Sequence, residues 1–80
     1  MKKALVLLFS VDDFNFVELE NMTTEKRYLL AKQNIVDNGS TDIYTLGEFC
    51  RDLNNGDLWM ENWFAYPHYV DDAEYEEWRK

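Results

Sequence analysis

Cys50 and His68 are the chain's single thiol and single imidazole, the two side chains that could act as a nucleophile and its base. Cys50 falls on the apolar stripe Leu46, Phe49, Cys50 and Leu53, so it reads as a small buried hydrophobe. An activated thiol also needs an electropositive setting, and the neighbours along the chain are Glu48, Arg51 and Asp52. One Cys and one His do not complete a tetrahedral zinc site. The carboxylate pairs Asp12-Asp13, Asp71-Asp72 and Glu76-Glu77 would need a pocket that shifts their pKa values before they could do acid–base work. Adjacent residues on turns and on a terminal helix are solvated instead. No catalytic, cofactor-binding or metal-binding residue is therefore expected.

Asp52-Leu53-Asn54-Asn55-Gly56-Asp57 has the content of a calcium loop. Its glycine falls at position five rather than six, and no Glu closes the loop at position twelve. No phosphate-cradling glycine loop, dinucleotide fingerprint or HExxH motif is present. Asn21-Met22-Thr23 and Asn38-Gly39-Ser40 match the glycosylation sequon, which matters only in an exported chain.

The elements that must position these groups follow from apolar spacing. Lys3 to Phe9, apolar without a break from Ala4, has strand length and suits a central strand covered on both faces. After the turn signal Asp12-Asp13, Phe14 to Leu19 alternates apolar and polar imperfectly, which predicts a second strand paired back on the first. Met22-Thr23-Thr24-Glu25 opens a helix with a Thr as N-cap. Tyr28, Leu29, Leu30, Ala31 and Ile35 form its apolar side, and Lys26, Arg27 and Lys32 its solvent side. Asp37-Asn38-Gly39-Ser40 ends it.

Thr45 and Glu48 have capping-box spacing, with Tyr44 and Phe49 placed for a hydrophobic staple. Leu46, Phe49, Cys50 and Leu53 then continue at helical spacing until Asn54-Asn55-Gly56. Trp63 to Tyr69 reads as a strand, with Pro67 at an edge position or at its end. Asp71 to Lys80 reads as a short helix with its cap at Asp71, acids first and bases last. That helix either docks through Tyr75 and Trp78, frays, or serves a partner. The expected fold is α+β: a small antiparallel sheet of two to three strands, two helices packed on one face, and a short C-terminal helix. Eighty residues make a single domain, 1–80, burying roughly 60% of its unfolded surface.

With 46% hydrophobic and 16% aromatic residues the chain can offset its entropy by burial, unlike acidic disordered tails. One cysteine excludes an internal disulfide. Met1-Lys2-Lys3 followed by Ala4 to Phe9 imitates a secretion signal, but the apolar run is six residues and Asp12-Asp13 follow at once. A membrane span needs about 20 apolar residues. A cytoplasmic location is expected.

The net charge of -8 is unevenly placed. Residues 1–40 hold six acids and five bases, net -1, and residues 41–80 hold ten acids and three bases, net -7. From Asp52 to Glu77 there are eight acids and no Lys or Arg. Such a surface repels phosphates and anionic lipids, which disfavours direct nucleic-acid or membrane binding. A basic protein surface, such as that of a nucleic-acid-binding protein, is the favoured partner. Asp57, Glu61, Asp71, Asp72, Glu74, Glu76 and Glu77 would carry the charge, and Trp59 and Trp78 the apolar contact. A self-associating structural or accessory protein, with the same tryptophans buried in a homodimer, is the alternative. Solubility alone also explains a solvated acidic face.

Ile43-Tyr44-Thr45-Leu46-Gly47-Glu48-Phe49, with Leu53-Asn54-Asn55 and Asn62-Trp63-Phe64 downstream, resembles small acidic proteins of gut bacteria and their mobile elements. The matching positions are mostly capping and packing positions, and no functional residue carries over. By size and charge the chain is also similar to phage- and plasmid-encoded inhibitors that imitate DNA, of the anti-restriction and anti-CRISPR type. That similarity implies a non-enzymatic inhibitor that presents carboxylates to a nucleic-acid-binding protein.

Overall fold

The run Lys3-Ala4-Leu5-Val6-Leu7-Leu8-Phe9-Ser10 forms the middle strand, β1 (Lys3–Ser10), of a three-stranded antiparallel sheet. The computed structural model describes residues 2–37 and 39–79. Met1, Asn38, Lys80 and the side chain of Asp37, which entered the expectations for the lead-in, the loop after the first long helix and the terminal helix, lie outside the described residues. The chain continues as α1 (Phe16–Glu20), α2 (Thr24–Asp37), β2 (Thr41–Thr45), α3 (Leu46–Asn55), a 3₁₀ turn over Met60–Asn62, β3 (Trp63–Val70) and α4 (Asp72–Trp78). The sheet order is β2-β1-β3. Leu5 to Phe9 are all buried, because β1 is hydrogen-bonded on both sides and covered on both faces.

Directly opposed residues of an antiparallel sheet share a face. Leu5, Leu7 and Phe9 thus stand with Thr41, Ile43 and Thr45 of β2 and with Phe64, Tyr66, His68 and Val70 of β3. This face holds the main core, closed by Leu19, Tyr28 and Ala31 and flanked by Phe14, Ile35, Tyr75 and Trp78. Each fully buried Leu or Phe contributes about 1.5–3 kcal/mol. Residues of α1, α2 and α4 therefore cover this face. Val6 and Leu8 point the other way and are also buried. Tyr44 shares that second face and lies within electrostatic reach of Asp52 on α3, and α3 contacts β1 and β2. It is α3 that covers the second face over those two strands.

Phe14 to Leu19, expected as a strand, is instead a bend followed by α1. The Asn15 carboxamide oxygen accepts from the N–H groups of Val17 and Glu18 at 2.9 and 3.3 Å, an N-cap that fixes the first helical turn. At its other end the Arg27 guanidinium donates to the carbonyls of Leu19 and Met22 at 2.7 and 2.9 Å, a cation on a helix C-terminus. The edge beside β1 is filled by Thr41-Asp42-Ile43-Tyr44-Thr45, a strand in which Thr41, Ile43 and Thr45 are buried and Asp42 and Tyr44 half-buried.

The caps read from the sequence are present. Thr23 Oγ1 accepts from the Lys26 N–H, Thr45 Oγ1 from the Glu48 N–H, and Asp71 Oδ1 from the Glu74 N–H. Gly56, at φ 78°, ends α3 and donates to the carbonyls of Asp52 and Leu53, a left-handed position that glycine adopts without strain. Cys50, expected to be buried, is exposed. The cause is that Glu48 is buried on α3, which turns Leu46, Cys50 and Leu53 partly to solvent. Leu29 of α2 is likewise exposed, while Tyr28 and Ala31 supply the buried side.

Candidate interaction surface

Because β1 and β3 run antiparallel over their full length, the two ends of β3 sit at opposite ends of the sheet. Eight residues of strand span about 25 Å. The acidic second half of the chain is thereby divided. Asp57, Trp59 and Glu61 precede β3 and lie near Ser10, which opposes Trp63. Asp71, Asp72, Glu74, Glu76, Glu77 and Trp78 follow β3 and lie near Lys3, which opposes Val70. That separation exceeds the Debye length of roughly 8 Å at physiological salt, so the two groups act as independent fields.

At the Lys3 end most of the acids have local duties. Asp71 caps α4, Asp72 lies 3.8 Å from Lys3, and Glu76 lies 3.5 Å from Arg79. Lys3 also sits over the Tyr75 ring. Trp78, expected as an exposed anchor, is half-buried and donates its indole N–H to Tyr28 Oη at 2.9 Å. Burial pushes the Tyr28 phenol up to about 12. His68 stacks on the same ring at 4.2 Å, and burial holds its imidazole below the ordinary value, against the pull of Glu25 and Glu74.

The Ser10 end is different. Val11 donates its N–H to the Asn62 carbonyl at 3.1 Å, joining the turn after β1 to the 3₁₀ turn before β3. Asn62 in turn donates to the Trp59 carbonyl, which holds Trp59 beside that junction at 65% exposure. Phe16, 52% exposed, rests its ring 5.8 Å from Phe64, and Val17 of the same helix is 63% exposed. Asp12, Asp13, Glu18, Asp57 and Glu61 are all exposed; Asp12, Asp13 and Glu18 lie within four positions of Phe16 in sequence and Asp57 and Glu61 within two of Trp59, and Glu18 shares a hollow with Lys26. The Asp13 carboxylate accepts from the Ser40 hydroxyl at 2.6 Å, which braces that turn.

Two stretches of sequence build this end, and neither contains a base. Residues 4–25 have no Lys or Arg, and neither do residues 52–78. Only the second was singled out in the sequence. Asp12, Asp13, Glu18, Phe16 and Val17 were not among the residues expected at an interaction surface, although the gap from Lys3 to Lys26 was a signal of the same kind.

The carboxylate pairs named above are exposed, and among the described residues no three His, Cys, Asp or Glu side chains stand where they could hold a metal ion. No helix among the described residues is long and apolar enough to cross a membrane. Comparison with protein-family models, with curated proteins and with solved structures found no match.

Proposed function

We propose that this chain is a non-enzymatic acidic interaction domain that binds a basic protein surface through the Ser10 end of its sheet. The observation that carries the reading is the coincidence there of exposed Trp59, Phe16 and Val17 with five carboxylates drawn from two base-free stretches. Exposed apolar groups anchor a contact after desolvation, and a single-sign rim steers an oppositely charged partner. A DNA-imitating inhibitor is the finer version of this reading. Carboxylates grouped at one end favour a partner with a compact basic patch over one that reads a long phosphate stripe.

Self-association is the second reading, favoured by the partly exposed α3 residues Leu46 and Leu53 beside exposed Cys50. It must bring together two chains of charge -8 each, which ranks it lower at low salt.

The test immobilises the chain and a Asp57→Asn, Trp59→Ala, Glu61→Gln triple variant, and passes a host extract over each at low and high salt. The reading expects basic proteins retained by the parent at low salt and released by salt or by the triple substitution. Retention indifferent to both salt and substitution rejects it. Sedimentation as a dimer in which Cys50 is shielded from thiol reagents would favour the second reading.

A further inference from the structure

The outer edge of β3 has an uneven set of free main-chain groups, and the hydrogen bonds at its start show which ones. In an antiparallel ladder a residue's N–H and C=O point to the same side, and the side alternates along the strand. Asn62 offers its carbonyl to Val11 of the turn after β1. Phe64, Tyr66, His68 and Val70 consequently pair with β1, and Trp63, Ala65, Pro67 and Tyr69 turn outward. Pro67 thus sits where its missing N–H costs the sheet nothing. The Trp63 N–H is taken by the Met60 carbonyl. Ala65 and Tyr69 each keep an outward donor and acceptor, Pro67 keeps an acceptor, and no fourth strand pairs with them among the described residues.

On the opposite edge a side chain takes one outward donor. Ser10 donates to the Ser40 carbonyl, so by the same alternation Ile43 turns its N–H outward on β2, and Asp42 Oδ1 accepts that N–H at 2.8 Å. No charged side chain of β3 guards its own edge in this way, since Trp-Phe-Ala-Tyr-Pro-His-Tyr-Val contains no Asp, Glu, Lys or Arg. Ala65, Pro67 and Tyr69 are exposed, and a hollow beside the strand is lined by Lys2, Thr24, Glu25, Pro67, His68 and Tyr69. Acids stand at both ends: Asp57 and Glu61 before the strand, Glu25 and Asp71 beside and after it.

We propose that the β3 edge receives an extended segment of the basic partner as a fourth strand, uncharged opposite Ala65 to Tyr69 and carrying Lys or Arg on either side. This rests on the acidic-interaction reading above and specifies how the partner is held. Main-chain hydrogen bonds at Ala65, Pro67 and Tyr69 supply the register, and the flanking carboxylates choose the sign of the partner. A second copy fits this edge less well. Antiparallel pairing of β3 with itself about Pro67 sets two carbonyls face to face with no donor between them, and adds the repulsion of two acidic chains.

The probe is a ten-residue peptide of alternating Val and Thr with two lysines at each end, read by amide hydrogen exchange at Ala65 and Tyr69. At a peptide concentration ten times its dissociation constant those two amides should exchange about tenfold more slowly. Two N-methylated isomers, one blocked at the Val amides and one at the Thr amides, separate the two edges of the peptide. One should bind as the parent does and the other should lose both binding and protection. Equal binding of both isomers, or peptide binding with Ala65 and Tyr69 unprotected, overturns the edge proposal and leaves the acidic-interaction reading standing. Failure of the peptide to bind overturns the edge proposal, and loss of salt-sensitive capture in the extract experiment separately rejects the broader reading. Protection that grows with protein concentration without peptide overturns the basic partner in favour of a second copy. Ala65→Pro, which deletes an outward N–H only, should abolish peptide binding while the circular dichroism spectrum is retained.

Discussion

The indole N–H of Trp78 donates to the phenolic oxygen of Tyr28 at 2.9 Å, joining α4 to α2 across fifty positions of sequence. The same Tyr28 ring carries His68 stacked on one side of its environment and the Lys32 ammonium 4.3 Å from its centroid. This one side chain ties together the last helix, the first long helix and β3.

Tyr28→Phe keeps the ring and removes the acceptor. It should lower stability by about 1 kcal/mol, seen as a lower urea midpoint with an unchanged slope. Trp78→Ala also removes packing against the core and should cost more, about 2 kcal/mol, because the indole is only half-buried. Amide exchange in α4 should accelerate in both variants.

Acid should weaken the fold through His68. Its folded pKa lies below the ordinary value, so the unfolded chain takes up the proton first. Stability from this group is present above pH of about 6.5 and is lost as the pH falls below that value toward the folded pKa. A urea midpoint that drops from pH 7.5 to pH 5.5, with a shallower drop in His68→Phe, is the expected result.

Thr45 accepts from the Glu48 N–H and donates its hydroxyl to Glu48 Oε1 at 2.6 Å, both in buried surroundings. Thr45→Ala should cost about 1–2 kcal/mol in chemical denaturation, the upper part of the range for a helix cap. Thr45→Ser should recover most of that loss.

Trp59 stands among carboxylates, so its fluorescence should be quenched more by caesium than by iodide. The preference should be about twofold at low ionic strength and vanish at high salt. Trp59→Ala should remove the difference and shift the urea midpoint little, as the side chain is mostly exposed.

The central strand, the helix at Thr45 with its stop at Gly56, the aromatic third strand and the cap at Asp71 were legible because each rests on local chemistry. Continuous apolar residues, a Thr-x-x-Glu spacing and a glycine in left-handed geometry signal themselves without reference to the rest of the chain. Phe14 to Leu19 was misread because six residues are too few to separate the two periods: Phe14 and Phe16 fit an alternation, while Phe16 and Leu19 fit one helical turn. Asn15 decided it. Thr41 to Thr45 escaped notice because its end is also the cap of α3. The exposed position of Cys50 follows from the burial of Glu48, a tertiary outcome that the apolar stripe argued against. Division of the acids into two ends depends on β1 lying between β2 and β3, which no local pattern shows.

β1 is flanked by strands that come later, and residues 11–62 separate it from β3. Pairing them is a long-range closure, of the kind that slows folding relative to local helical contacts. During synthesis, Leu5-Val6-Leu7-Leu8-Phe9 must wait with one edge open until Trp63 to Val70 has been made. In that interval the segment has the composition of an aggregation-prone strand: apolar, uncharged and without proline. The protein's most solvent-exposed moment for its most apolar segment thus comes before its last strand exists, and the yield of native chains in a cell should depend on how long translation pauses between β2 and β3.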